Sequence, residues 1–177
     1  MRFHPLGIDG AWLVAPEPHR DERGEFARTF CIREFAQCGL ETEFVQHSAS
    51  RTNSRGTIRG MHFQREPHAE TKIVTCTRGA IYDVVVDLRP HSPTYREWRG
   101  IELSQENQLR LYIPKGLAHG FQTLVDDVEA SYLISSYYEP AAGSGVRHDD
   151  PAFGITWPLP VTYLSDKDRA WPDFVSQ

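Results

Sequence analysis

His62 lies in the run Gly56-Thr57-Ile58-Arg59-Gly60-Met61-His62-Phe63-Gln64, with Gln64 where a second histidine would complete a His-x-His pair. A later run, Pro114-Lys115-Gly116-Leu117-Ala118-His119-Gly120, supplies His119. Two isolated histidines fall short of the three or four ligands a transition metal draws from a protein. An imidazole that holds no metal can take and give protons, and its ordinary pKa of about 6.5 suits that work near neutrality. Cys31, Cys38 and Cys76 form an odd set without metal-site spacing, so they read as reduced cytosolic thiols that fill small gaps in a core.

The spacing of the other reactive side chains sets geometric conditions. In an extended strand over Glu129–Tyr138, Tyr132 and Tyr138 share a face. Six residues span roughly 20 Å at a rise of about 3.3 Å each. Two such rings could address the two ends of an elongated ligand. Arg59 and His62 have opposite parity, so both reach one cavity only through a bulge at Gly60 or with help from a neighbouring subunit.

Short strand-like runs separated by turn residues must position these groups. Ile81–Leu88 is the strongest, with Tyr82, Val84, Val86 and Leu88 on one apolar face and Asp83 and Asp87 on the other. Arg78-Gly79 precedes it as a turn, and Arg89-Pro90-His91-Ser92-Pro93 ends it. Further strands are expected over Phe44–Ser50, Thr57–Gln64, Lys72–Thr77, Trp98–Leu103, Gln108–Ile113, Phe121–Leu124 and Glu129–Ser136. Ile32–Cys38 makes about two helical turns, with Gly39 as the residue beyond the C-cap. The stretch from Pro140 to Gln177, richer in Pro, Gly and Asp, wraps over the strands. This is an all-β pattern, and residues 1–177 read as a single domain.

Apolar residues at 40% and charged residues at 24% are ordinary for a globular protein. A net charge of −5 argues against a nucleic-acid surface, which needs a broad basic excess. A small anionic ligand needs only a few local cations. The start, Met1–Gly7, lacks an apolar signal core, and no run approaches the roughly 18 apolar residues of a membrane helix. The expectation is a cytoplasmic protein with no membrane or nucleic-acid partner.

The two histidine segments resemble the two signatures of a cupin barrel, with the metal-holding pair of the first replaced. Other segments extend the likeness, among them Asp21-Glu22-Arg23-Gly24-Glu25-Phe26, Glu70-Thr71-Lys72-Ile73-Val74, Ile81–Arg89, Gln108–Phe121 and Tyr132 with Tyr137-Tyr138. Asp149-Asp150-Pro151, Trp157-Pro158 and Leu164-Ser165-Asp166-Lys167-Asp168 complete the order. From about residue 9 to residue 172 the chain resembles the dTDP-4-dehydrorhamnose 3,5-epimerase family, the metal-free cupins of deoxysugar biosynthesis.

The resemblance implies a cupin-type jelly-roll β-sandwich with short peripheral helices, a homodimer, and a reaction without cofactor or metal. A 4-keto sugar has acidified hydrogens at C3 and C5, because removing either gives an enolate spread onto the C4 oxygen. Inversion then needs a base on one face, a proton donor on the other and a cation near the enolate oxygen. By resemblance His62 is the base, Asp168 its orienting carboxylate, Tyr132 the donor and Lys72 the cation. His119 would hold a sugar oxygen, while Arg23, Arg59 and Lys167 would grip the diphosphate. Tyr138 would stack on the base, with Phe26, Gln46, Ser48 and Gln64 also among the expected substrate contacts.

Departures from the family gather at the nucleotide end. A carboxylate facing the thymidine becomes Arg28, the family's Gln-x-Asn appears as Gln46-His47-Ser48, and a glutamate near Asp149-Asp150-Pro151 becomes Gly143. Thymine N3 carries a hydrogen that a carboxylate can accept, whereas cytosine N3 is an acceptor that an arginine can serve. A CDP-linked keto-deoxysugar is therefore the alternative substrate, and a GDP-linked one a more distant alternative. Other readings are a nucleotide-sugar 3,4-ketoisomerase, a metal-dependent cupin oxygenase and a non-catalytic sugar-binding cupin. The joint presence of His62, Asp168, Tyr132 and Lys72 favours epimerisation over these.

Overall fold

The structure, a computed structural model, describes residues 1–175. Ser176 and Gln177, which the expected domain includes, lie outside the described residues. Along the chain run β1 (Arg2–Pro5), β2 (Trp12–Ala15), β3 (His19–Asp21), β4 (Gly24–Phe26), α1 (Ile32–Gln37), β5 (Gln46–Thr52), β6 (Ile58–Gln64) and β7 (Lys72–Arg78). Then follow β8 (Ala80–Asp87), β9 (Trp98–Ser104), β10 (Arg110–Ile113), β11 (Leu117–Thr123), β12 (Val128–Ile134), β13 (Gly143–Gly145) and α2 (Asp166–Arg169). They form an antiparallel six-stranded sheet, β1-β2-β10-β7-β12-β5, and a five-stranded sheet, β13-β6-β11-β8-β9. The β3–β4 hairpin stands apart from both.

Between the sheets lies an apolar interior of Val74, Ile81, Val85, Leu103, Leu111 and Phe121, each at most 3% exposed. Complete burial of one such side chain is worth about 1.5–3 kcal/mol, so these six residues contribute substantially to the favourable packing. Strand β8 sits at its centre and is covered on both faces. Ile81 and Val85 point inward, while Val84 and Val86 pack outward against a second cluster that includes Phe153, Trp157 and Phe174. The C-terminal quarter thus wraps over one sheet, as its composition suggested.

Asp83 and Asp87, on the inward parity of β8, are both fully buried. Asp87 is satisfied locally: its carboxylate accepts from the Arg89 backbone and guanidinium at 2.7–3.0 Å, from Ser92 Oγ at 2.5 Å and from Thr94 Oγ1 at 2.8 Å. Burial alone would push this carboxyl up, but those donors outweigh it and hold it below the usual carboxylate range. The turn that ends β8 is therefore built around an ionised aspartate.

Strand limits differ from the sequence expectation where both faces are buried. Strand β11 begins at Leu117, four residues before the expected Phe121, and all seven of its residues are buried. Without a solvent face it shows no alternation to read. Strand β12 ends at Ile134, so the expected continuation to Ser136 and Tyr138 is a loop. Gly39 takes φ +69° just after the Cys38 cap of α1, as its position predicts. The short β1–β4, β13 and α2 carry too few residues for a periodic signal. Among the described residues no helix is long and apolar enough to cross a membrane.

Candidate active site

Strand β6 solves the parity problem of Arg59 and His62 with a bulge. Arg59 pairs with Phe121 and His62 with His119, so Gly60 and Met61 together oppose the single residue Gly120. Gly60 has φ +133°, and a Cβ there would fall 2.5 Å from the Gly120 Cα. Only glycine accepts both the backbone conformation and the close approach. The extra residue turns Arg59 and His62 toward the same cavity.

That cavity, about 610 Å³, opens between the two sheets. His62 and His119 reach it from β6 and β11 in the five-stranded sheet. Tyr132 and Lys72 reach it from β12 and β7 in the facing sheet. Lys167 and Asp168 enter from α2, which the chain brings back against β6. Residues far apart in sequence thereby meet around one space.

His62 Nε2 lies 2.5 Å from Asp168 Oδ1. Asp168 is 5% exposed and also receives the Gly60 N–H at 3.4 Å, while its own N–H caps onto Ser165 Oγ at 3.1 Å. Burial raises this carboxyl, but the His62 hydrogen bond and charge, with the Gly60 and Ser165 contacts, hold it below the ordinary range. Asp168 is thus an ionised partner for an imidazolium. With the ring N–H at Nε2 donated to it, Nδ1 is left to act as a base.

On the other wall the Tyr132 phenol sits 3.1 Å from Ser50 Oγ. Burial pushes this phenol well above its usual range, with the charge of Asp83 and the Cys76 thiol adding to the rise. Ser50 and the Arg59 charge work in the opposite direction. The His119 ring packs edge-on to Tyr132 at 6.3 Å, and its Nε2 lies 2.6 Å from Asp83 Oδ1. Lys72 Nζ is paired with Glu70 Oε1 at 2.8 Å, and both side chains are nearly buried.

The remaining expected contacts divide into three groups. Arg59, Ser48, Tyr138 and Lys167 line the cavity or its mouth, with Arg59 braced on Thr52 Oγ1 at 2.9 Å and Lys167 resting over the Trp171 ring. Gln46 and Gln64 also line it, but their amides are already engaged. Gln46 donates to the Ser136 carbonyl, and Gln64 donates to the His68 and Tyr137 carbonyls and to Glu70 while accepting the Glu139 N–H. Gln64 therefore ties the Tyr138 loop to β6. Arg23, Phe26 and Arg28 lie away from this cavity. Arg23 forks onto Asp21 in the β3–β4 hairpin, Phe26 is 76% exposed, and Arg28 pairs with Glu34 at 2.9 Å.

Asp83, Ser50 and Glu70 are site residues that sequence reasoning did not single out. A carboxylate inside an otherwise apolar strand, on the same face as Ile81 and Val85, was the available signal for Asp83. Nothing in sequence marked Ser50, because its partner arrives from another strand. Among the described residues no group of three or more His, Cys, Asp or Glu side chains is placed to hold a metal ion.

Known proteins are similar to this chain over nearly its whole length. The family described as dTDP-4-dehydrorhamnose 3,5-epimerase matches residues 5–176. A dTDP-4-dehydrorhamnose 3,5-epimerase of Methanothermobacter thermautotrophicus is 46% identical, over 97% of this chain and 93% of its own. A dTDP-4-dehydrorhamnose 3-epimerase of Streptomyces niveus is 41% identical, over 96% and 82%. The crystal structure of a Bacillus anthracis dTDP-4-dehydrorhamnose 3,5-epimerase, with TDP and PPi bound, superposes with a TM-score of 0.94 at 41% identity, covering 98% of this chain and 99% of that one. The two-sheet sandwich is cupin-like, as the sequence led one to expect, and the chain belongs to the dTDP-4-dehydrorhamnose 3,5-epimerase family.

Proposed function

We propose that this protein epimerises dTDP-4-dehydro-6-deoxyglucose to dTDP-4-dehydrorhamnose through an enolate, with no metal or cofactor. The observation that carries this reading is a carboxylate-paired imidazole and a half-buried phenol on facing walls of one cavity. His62 Nδ1 takes the proton from C5 or C3, and the C–H electron pair moves onto the C4 oxygen. Asp168 stabilises the imidazolium, and the Lys72 ammonium offsets the charge on the enolate oxygen. Tyr132 delivers its proton to the opposite face of the same carbon. The imidazolium and the phenolate then exchange protons with water, so the turnover neither gains nor loses any.

Arg59 and Lys167 stand at the mouth as partners for the diphosphate, with the exposed Tyr138 ring beyond them for the base. The TDP bound by the Bacillus relative favours thymidine here. Arg28, on which a cytosine preference would rest, is paired with Glu34 outside this cavity. In D2O the protein should return the dTDP product with deuterium at both C3 and C5; deuterium at C3 alone would make it a 3-epimerase, and none would remove the enolate. With dTDP at about 100 times its Kd, Tm should rise by roughly 5–10 °C. CDP and GDP should shift it less. No shift with any of the three would remove the assignment.

The functional unit we infer is a homodimer of single-domain chains. Arg23, paired with Asp21 on an exposed hairpin, and exposed Phe26 lie outside their own cavity, where they can serve that of a second copy. Light scattering should give twice the chain mass, and a monomeric active species would refute this. The nucleotide-sugar substrate and the three unpaired cysteines fit the cytoplasm.

A further inference from the structure

A phenol in a partly desolvated setting is a poor acid, and Tyr132 must both release its proton to carbon and recover one before the next turnover. Its surroundings make the first step harder: the phenol is desolvated, and Asp83 beneath His119 adds negative charge nearby. The hydrogen-bond partner the structure gives the phenol is the Ser50 hydroxyl.

The sheet register places Ser50 for this contact. Strand β5 runs antiparallel to β12 with Ser48 opposite Tyr132 and Ser50 opposite Ala130. Ser50 is thus the diagonal neighbour of Tyr132 on the same face, within reach of a long aromatic side chain. Strand β5 is also the edge of its sheet, and Ser48, Ala49 and Arg51 around Ser50 are exposed. Ser50 itself is half-buried and lines the cavity. It links the phenol oxygen to the edge strand of the sheet. A hydroxyl can donate one hydrogen bond while accepting another, which neither a cation nor a carboxylate does.

We propose that Ser50 is the positioning residue that lets Tyr132 act as the acid of the epimerisation and restores it afterwards. When the phenol proton moves to the substrate carbon, the Ser50 O–H donates to the phenolate oxygen. That proton then passes to the phenolate while Ser50 Oγ takes one from water, and His62 releases its own to water, closing the cycle. This role rests on the proposed epimerase reaction.

The test follows deuterium in D2O. If the far-face donor is impaired, the enolate formed by His62 returns to substrate on the face it left. Substrate recovered from Ser50→Ala should then carry deuterium without inversion. The ratio of such exchange to inversion should rise by roughly tenfold or more over the parent protein, the weight of a hydrogen bond to a charged group. KM should stay unchanged, and Ser50→Thr, which keeps the hydroxyl, should restore the ratio. Ser50→Cys, of similar size with a weak donor, gives the same readout should the alanine variant not fold. Exchange and inversion falling by one common factor, or neither changing, would overturn the role of Ser50. A parent protein that neither exchanges nor inverts any keto-sugar would instead overturn the reaction itself.

Discussion

His62→Ala should remove C–H cleavage and inversion together, by on the order of 10²- to 10⁴-fold in kcat, the usual weight of a positioned general base. No deuterium should then enter substrate or product, because no enolate forms. The bulge that aims His62 is made by Gly60 and Gly120, so the substitution leaves the backbone geometry intact. It does strip the buried Asp168 carboxylate of its closest partner. His62→Asn keeps a side-chain donor near that carboxylate and separates catalytic loss from folding loss. Both variants should unfold cooperatively and still bind dTDP, since the groups assigned to the diphosphate are untouched. Deuterium exchange near the parent rate in either variant would mean that another group is the base.

Tyr132→Phe should divide the reaction instead of stopping it. The ring remains packed between Ser50 and His119, but the far-face proton is gone. Inversion should fall by on the order of 10²- to 10⁴-fold, while deuterium still enters recovered substrate through His62. Removing a hydroxyl from half-buried Tyr132, whose partner is the half-buried Ser50, costs little stability, because Ser50 can turn to water. Two-dimensional NMR of the recovered sugar distinguishes retained from inverted centres. Loss of exchange and inversion in equal measure would place Tyr132 on the deprotonation step and reverse the assignment of the two walls.

Gly39 after α1, the β8 strand and the strands around Lys72 and His62 were legible because apolar runs and the turn residues that bound them are local signals. The β11 start at Leu117 was not, because a strand buried on both faces shows no period. The parity conflict between Arg59 and His62 was legible as a conflict, and its resolution in the Gly60 bulge needed the register against β11. Tyr132 and Tyr138 do meet one cavity, yet through a loop after Ile134 and not along the single strand their parity suggested.

The sequence by itself determined the chemical inventory: an imidazole outside any His-x-His pair, a tyrosine, a lysine and a late aspartate, held in an all-β chain with no basic excess. Only the tertiary structure decided which groups act on one another. His62 and Asp168 are 106 residues apart, and Ser50 and Tyr132 are 82 apart, so their contacts come from sheet pairing and from the return of α2 to β6. Local patterns encode which face of a strand a side chain takes. Distances across a barrel arise from how whole strands align, and no short stretch of chain contains that information.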